Sequence, residues 1–323
     1  MLRSLFGFEW RKSPAHVLLL SKFRRPRVLD DFSKSDVWMT VLKENPEKAI
    51  RRFMREGLLQ HASLSGLLGY QFTVPELKLM LRKKGLAVSG RKADLIQRLV
   101  HADPEGMREA ARVPSALQCT GKGRVIAEEY LAREKESRAM VEQQTLQALR
   151  ERRFEQAAQL VAAFEVQQVF PRGVGIDWEN YDPTADIAML GFIFGSRPKI
   201  LGQLDRCILD HLRLAAGMMH LWGTSKARGW LPPRLVTGLV MNNNSASRML
   251  CFHASYQVDM EQYRRSPFIK YAEISTANDN HVCAACLKIA GKKYSLSKVP
   301  ELPYEHCTSE VGCRCQAVPV TEI

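Results

Sequence analysis

The chain has 323 residues, of which 46% are hydrophobic and 25% are charged, and 47 Lys and Arg against 34 Asp and Glu give a net charge of +13. This composition excludes a wholly disordered, a collagen-like and a small disulfide-rich protein, and the length predicts two or three compact domains. No apolar run approaches the roughly 18 residues that a membrane-spanning helix needs, and the start of the chain lacks the pattern of a secretory signal. We therefore expect a protein of the reducing cytoplasm that does not associate with a membrane.

Most of the excess positive charge comes from two short stretches. Residues 1–28 hold seven Lys and Arg and one acidic residue, and residues 76–98 hold seven Lys and Arg and two acidic residues. Clustered cations of this kind favour a polyanionic partner such as nucleic acid.

The predicted fold class is mainly α and multidomain. Residues 1–60 are predicted to form a basic N-terminal arm that starts irregularly and continues, from about Ser35, as two short helices; Pro46 suits the first turn of the second one. Residues 106–170 contain two polar, helix-forming segments that predict a long helical hairpin, with its hinge near Arg150. Residues 171–266 are predicted to form a helix-rich, mixed α/β middle domain of unknown role, with a buried helix over 200–220.

Residues 61–105 are predicted to contain a helix, an extended linker and a second helix. Thr73, Pro75 and Glu76 form the start signal of the first helix, which ends at Gly85. A turn at residues 89–92 then leads into the second helix, whose apolar residues again recur at helical spacing.

This segment resembles the SAP domain over residues 73–101, on its spaced leucines, Gly85-Leu86, the sequence Ser-Gly-Arg-Lys before the second helix and Leu-Ile-Gln-Arg-Leu within it. The resemblance implies a helix–extended–helix module that binds duplex DNA. About four phosphate contacts would give log K a slope of about −3 to −4 against log salt concentration. The residues expected to contact DNA are Lys83, Lys84, Ser89, Gly90, Arg91, Lys92 and Arg98.

Five of the eight cysteines lie within the last 41 residues, in a segment (267–323) that also carries short β-favouring pieces. Cys283 and Cys286 form a C-x2-C pair, and a second pair, Cys313 and Cys315, follows it. In a reducing compartment this spacing predicts a structural Zn²⁺ site in a small α+β module. Six candidates compete for four places: the two residues of the first pair are the firmest ligands, and Cys313 with Cys315 or His306 completes the set, while Cys307 is the sixth candidate.

The same segment, residues 271–319, resembles the C-terminal module of phage head-morphogenesis (minor capsid) proteins. The shared pattern comprises Asp279, the C-x2-C pair, Gly291-Lys292, a Pro303-x-x-His306 step and a final Cys-Arg-Cys. The six residues between His306 and Cys313 form a longer gap than that family has. Such modules also occur on proteins that are not capsid components.

The sequence contains no recognisable catalytic set. The acidic residues Asp177, Glu179, Asp182 and Asp186 would suit a Mg²⁺-dependent nuclease, but their spacing is equally typical of caps and turns. No nucleotide-binding loop or nucleophile motif is present. A role without catalysis is therefore favoured.

Three functions stay open at this point. The first is a non-enzymatic DNA-associated protein of the cytoplasm, located on the nucleoid, with double-stranded DNA as partner and a protein partner for its zinc module. The second is a phage-derived accessory protein of head assembly or DNA packaging, acting in the host cytoplasm, and the third is a nuclease. The oligomeric state cannot be predicted from the sequence.

Overall fold

The computed structural model describes residues 9–33, 35–111, 116–173, 175–227, 229–235 and 237–321. Arg3, which belongs to the predicted basic arm, lies outside these residues. The chain is mainly helical, with 56% of its residues in helices, and its sheets are small and antiparallel. It divides into two compact units, Met1–Ser137 and Arg138–Ile323.

The first unit consists of short helices and one small sheet. Its helices are α1 (Pro14–Lys22), α2 (Asp30–Ser33), α3 (Asp36–Leu42), α4 (Pro46–Arg55), α5 (Leu64–Gln71), α6 (Val74–Lys83), α7 (Lys92–Ala102) and α8 (Pro104–Ala110). Strands β1 (Leu59–His61) and β2 (Leu117–Cys119) pair antiparallel, with Gln60 opposite Gln118. Helix α9 (Gly121–Arg150) begins in this unit, and the boundary between the units falls within it.

The prediction of an irregular start to the N-terminal arm is wrong for the described residues. Helix α1 begins at Pro14, and its apolar side chains, together with Phe23, are buried. Leu19 and Leu20 are fully inaccessible to solvent, so burial of apolar side chains, rather than the surrounding charge, determines that this segment is a packed helix. The two short helices predicted after residue 35 are confirmed as α3 and α4, with Pro46 in the first turn of α4 and the Asn45 side chain accepting a hydrogen bond from the Glu47 N–H (2.8 Å).

Helices α5 to α8 share one hydrophobic core. Its buried members are Leu68, Leu77, Leu81, Leu95, Ile96, Leu99, Met107 and Ala111. The predicted helix–linker–helix segment forms α6 and α7. Helix α5, which precedes this pair in the sequence, and helix α8, which follows it, both contribute to the same core. The segment is therefore part of a four-helix arrangement and does not stand as an isolated pair.

The second unit contains the rest of α9 and five further helices. These are α10 (Phe154–Val166), α11 (Thr184–Gly195), α12 (Arg206–Leu221), α13 (Asn243–Arg265) and α14 (Ala284–Ile289). Both segments of the predicted hairpin are helical, and the end of α9 shares a core with α10 through Ala148, Leu149 and Ala158. Arg152, in the turn between them, has a left-handed backbone with φ of 57°.

The prediction of a mixed α/β middle domain needs correction. The described part of residues 171–266 contains helices, a short 3-10 helix at Lys199–Leu201 and loops, and no strand. The predicted buried helix begins later than expected, at Arg206, because the Asp205 side chain caps it by accepting a hydrogen bond from the Ile208 N–H (2.9 Å). The apolar residues before and within α13 pack into the helical core and leave no edge for a sheet.

The C-terminal part of the second unit contains a three-stranded antiparallel sheet. Its strands are β3 (Ile269–Ser275), β4 (Lys293–Ser295) and β5 (Gln316–Thr321), in the order β4-β3-β5. The predicted β-favouring pieces near residues 271 and 293 are thus confirmed as strands, and α13 packs against the sheet. In the described part of the chain, none of the helices combines the length and the apolar character needed to cross a membrane.

Candidate nucleic-acid interface and cysteine cluster

The helix–linker–helix segment folds as its sequence signals predict. The Thr73 N–H donates to the Glu76 carboxylate (2.6 Å), which starts α6, and Gly85 ends the helix in a left-handed conformation with φ of 67°. Helix α7 starts in the same way, since the Arg91 N–H donates to Asp94 Oδ2 (2.8 Å). Leu77 and Leu81 of α6 and Leu95 and Leu99 of α7 face the core, whereas Leu79 and most of the cationic side chains of the segment stay at the surface.

Lys83 and Arg91 are the two predicted contact residues whose charges have no partner within the described residues. Both side chains are exposed; Lys83 lies in the last turn of α6, and Arg91 immediately precedes α7. Because a phosphate would not have to displace an internal partner, these two cations can neutralise DNA charge at the lowest cost.

The other three predicted cations make contacts inside the segment or with its neighbours. Lys84 forms an ion pair with Asp103, which precedes α8, and the Lys92 ammonium donates to the Gly69 carbonyl (2.6 Å) in α5. The Arg98 guanidinium donates to two carbonyls of the linker, Ala87 (2.5 Å) and Ser89 (2.6 Å). These three side chains therefore hold α5, α8 and the linker against the helix pair.

Ser89 and Gly90 form the turn before α7, to which the Arg98 side chain is hydrogen-bonded. Gly90 has φ of 113°, a conformation that side chains rarely adopt, and a Cβ built there would lie 3.0 Å from both Arg98 Nη2 and Asp94 Oδ2. Only glycine fits this turn without strain. Ser89 is exposed, and its carbonyl is one of the two acceptors of Arg98.

Two further cations were not among the predicted contacts. Lys78 and Arg82 are one helical turn apart on α6, and neither has an ion-pair partner within the described residues. The spacing of four residues is the signal that places both of them on one face of α6. With Lys83 and Arg91 they make four cations that lack an ion-pair partner within the described residues, which equals the number of phosphate contacts expected from the sequence.

All five C-terminal cysteines come together beside the sheet. Two groups of three thiols have their sulfur atoms within 4.8 Å of one another; they are Cys283, Cys286 and Cys307, and Cys286, Cys313 and Cys315. Cys286 belongs to both groups. The Sγ atoms of Cys283 and Cys307 are 3.8 Å apart and those of Cys286 and Cys313 are 3.9 Å apart.

These separations match the demands of a tetrahedral thiolate site. A Zn–S bond of about 2.3 Å in tetrahedral geometry places two sulfur ligands about 3.8 Å apart. The cluster could therefore hold a metal ion, and among the described residues only these two groups bring three His, Cys, Asp or Glu ligand atoms so close together.

His306 does not belong to this cluster. Its side chain is 69% exposed, its Nε2 lies 4.0 Å from the Glu305 carboxylate, and its ring packs edge-on against Tyr304. The structure brings together four of the five predicted ligands, Cys283, Cys286, Cys313 and Cys315, and places Cys307 where His306 was expected. The Cys307 N–H donates to the Tyr304 carbonyl (3.0 Å), and the turn closed by this bond brings the Cys307 thiol to the cluster while the His306 ring stays at the surface.

Backbone N–H groups point at the sulfur atoms. Tyr304 N donates to Cys313 Sγ (3.2 Å), and Thr308 N donates to Cys283 Sγ (3.4 Å). Burial opposes ionisation of Cys283, but the backbone N–H groups of Cys286 and Thr308 outweigh it and lower its pKa to about 6. Hydrogen bonds from the neighbouring thiols, that of Cys286 first, lower the pKa of Cys313. Cys283 and Cys313 thus favour the thiolate form, which binds metals, whereas hydrogen bonds among the thiols and burial raise the pKa of Cys286, Cys307 and Cys315.

The other candidate residues have structural partners. The Asp177 carboxylate accepts hydrogen bonds from Asn180, and Asp182 caps the start of α11 through Thr184, while Glu179 is exposed. Asp186 lies 2.8 Å from His220 Nε2 and accepts a hydrogen bond from the Tyr181 hydroxyl. These four acidic residues do not gather around one point within the described chain, and they occupy the cap and turn positions that the sequence allowed.

Comparison with known protein families supports the interpretation of the helix–linker–helix segment. Residues 71–104 match the family model of the SAP domain. No significant match is found among curated proteins or among solved structures. No family model supports the resemblance of residues 271–319 to head-morphogenesis proteins, and that relationship stays a prediction. The matched residues include the observed α6, the linker and α7. A SAP domain in general indicates DNA binding. Residues 71–104 of this chain are a SAP domain.

Proposed function

We propose that this chain is a DNA-associated protein without catalytic activity that binds duplex DNA through its SAP domain. The observation that carries the proposal is a set of four cations, three on α6 and one just before α7, that have no ion-pair partner within the described residues, on a segment that matches the SAP family. They are Lys78, Arg82, Lys83 and Arg91.

The charge distribution of the SAP domain supports contact with phosphates. Asp94 accepts a hydrogen bond at the start of α7 and Asp103 pairs with Lys84, and neither of them forms an ion pair with the four cations within the described residues. Four phosphate contacts give log K a slope of about −3.6 against log salt concentration, which is steep enough to measure. Contacts of this kind provide affinity and carry no sequence information by themselves.

The test is a salt titration of duplex binding by the full chain and by the double variant Lys83→Glu/Arg91→Glu. These two positions are chosen because their side chains are exposed and form no ion pair within the described residues, so that charge reversal leaves the fold intact. We expect at least a tenfold loss of affinity and a slope smaller by about 2. The double variant Lys270→Glu/Lys298→Glu, which reverses two exposed cations of the second unit, is the matched control and should leave the affinity for DNA unchanged.

An unchanged affinity and slope in the double variant would overturn the proposal. Equal losses in this variant and in the control Lys270→Glu/Lys298→Glu would show that net charge, and not the SAP domain, determines binding. Reversal of Lys84 or Lys92 is less informative because it would also break contacts to α8 or α5.

We further propose that the cysteine cluster binds one structural Zn²⁺ ion and that the module around it contacts a protein partner. Thiolate ligands with sulfur separations near 3.8 Å suit zinc, and the five thiols are enough to fill the four places of a closed, structural site. Five thiols surround four places, so one of them is not a ligand. Metal analysis of the purified, reduced protein tests this: one equivalent of zinc is expected, and less than about half an equivalent would contradict it.

A further inference from the structure

A cavity of about 480 Å³ lies in the second unit beside α13, the end of β3 and the start of β5. Helix α13 lines it with Phe252, Ser255, Tyr256, Asp259 and Tyr263. These positions recur at intervals of three, four and seven residues, so they share one face of the helix. The volume falls in the range of roughly 300–1,000 Å³ that is typical of small-ligand sites.

The cavity contains one negative charge that nothing in the described chain balances. The Ser255 hydroxyl donates to the Asp259 carboxylate, and no Lys, Arg or His forms an ion pair with it among the described residues. The one cation in the lining is Arg314, whose guanidinium already holds Asp279 through two hydrogen bonds of 2.7 and 2.5 Å. Arg314 and Asp279 compensate each other, and the net charge facing the cavity is that of Asp259.

Aromatic side chains flank this carboxylate on the same helix face. Phe252 and Tyr256 lie before it and Tyr263 lies one turn after it. The Arg248 guanidinium already lies over the Phe252 ring, 5.2 Å from its centroid, so Tyr256 and Tyr263 are the rings that face an added cation. The Tyr263 hydroxyl donates to the Ala317 carbonyl (3.2 Å), which fixes its ring at the cavity wall. Aromatic ring faces carry negative electrostatic potential and attract cations, and a carboxylate beside them adds a hydrogen-bond acceptor and a full charge.

We propose that this cavity binds an organic cation, an ammonium or guanidinium group, with Asp259 as its counter-ion and the aromatic rings of α13 as its walls. The cation is supplied either by a Lys or Arg side chain of a bound peptide or by a free amine. Burial raises the pKa of the unpaired Asp259 carboxyl, and a bound cation would offset that cost. The site is independent of the DNA-binding surface, because all its residues belong to the second unit.

The test uses small probes of known charge on the full chain, with binding followed by ligand-observed NMR. The cationic probes are N-acetyl-lysine N-methylamide, N-acetyl-arginine N-methylamide and butylamine, and N-acetyl-norleucine N-methylamide is the neutral probe of similar shape. We expect at least one cationic probe to bind about tenfold or more tightly than the neutral one. Tighter binding of the amino-acid amides than of butylamine indicates a peptide, and the reverse order indicates a free amine; both orders support the site.

Asp259→Asn keeps the shape of the side chain and removes its charge, and we expect about a tenfold loss of affinity for the cationic probes. Glu261→Gln, on the exposed face of the same helix, is the matched control and should bind as the unchanged protein does. Tyr256→Leu is a second variant, which removes an aromatic wall and should weaken cation binding without affecting the neutral probe. Equal binding of cationic and neutral probes, or unchanged affinity in Asp259→Asn, would overturn the proposal.

Discussion

Arg314 and Asp279 form a two-pronged ion pair in which Nη1 and Nη2 donate to the two carboxylate oxygens at 2.7 and 2.5 Å. Asp279 lies in the loop before Cys283 and Cys286, and Arg314 lies between Cys313 and Cys315. The ion pair therefore positions the first pair of cysteines relative to the second pair. The Asp279 carboxylate also accepts from the His281 N–H (2.9 Å), and the guanidinium of Arg314, together with this bond, lowers the pKa of Asp279 to about 2. Asp279 is ionised throughout the physiological range.

This geometry predicts that Asp279→Asn weakens metal binding although Asp279 touches no sulfur atom. Residues that orient metal ligands typically contribute about 10- to 100-fold in affinity. A chelator competition assay on the reduced protein measures the change. Asp182→Asn, which alters a helix cap far along the sequence from the cysteines, should leave metal affinity unchanged; an effect of equal size in both variants would contradict the positioning role.

The ligand set predicts opposite results for two residues that the sequence placed in the same site. His306→Ala should retain one equivalent of zinc, because the imidazole is exposed and faces away from the sulfur cluster. Cys286→Ser should lose the metal, because this buried sulfur belongs to both three-thiol groups. Metal analysis after gel filtration decides the matter, and loss of zinc in His306→Ala would restore the histidine to the ligand set.

Local signals in the sequence predicted the SAP helices well, but they did not predict contacts between side chains that are distant in the sequence. The start of α6 depends on Thr73 and Glu76, three residues apart, and its end depends on Gly85, so both are visible in the sequence. The ion pair of Lys84 with Asp103 depends on how α8 packs against α6 and α7, and no local sequence pattern predicts that packing. For this reason the sequence overestimated how many of the named cations are available to DNA.

The cysteine cluster shows the same division. The C-x2-C spacing predicted that Cys283 and Cys286 share one site, and the structure brings them together. The choice between His306 and Cys307 depends on the direction that the backbone takes after Tyr304, and linear spacing does not contain it. Helix α1 was missed for a different reason: the cations around it obscured an apolar run in which Leu19 and Leu20 are fully buried.

Arg98 and Lys83 are predicted to have different roles in the same domain. Arg98→Met removes two hydrogen bonds to the linker carbonyls, and we expect a loss of about 1 kcal/mol in the free energy of unfolding. Lys83→Met removes an exposed charge without an ion-pair partner in the described chain, so it should weaken DNA binding and leave stability unchanged. Urea denaturation and duplex binding, measured on both variants, separate the two effects; a stability loss confined to Lys83→Met would contradict the assignment.

Gly90 provides a sharper test of the turn that presents Arg91. With φ of 113°, the residue lies beyond the left-handed region that alanine tolerates, and a Cβ would lie 3.0 Å from Arg98 Nη2 and from Asp94 Oδ2. Gly90→Ala must therefore strain the backbone and displace the groups that fix the linker and start α7, and we expect a loss of about 2 kcal/mol in the free energy of unfolding. Gly85→Ala is the matched control, because its φ of 67° is left-handed but a methyl group at this position would meet no described atom within 4 Å. It should cost only about 1 kcal/mol. Urea denaturation of the two variants gives both values, and a Gly85→Ala variant less stable than Gly90→Ala would show that the contacts of Arg98 and Asp94 do not constrain this turn.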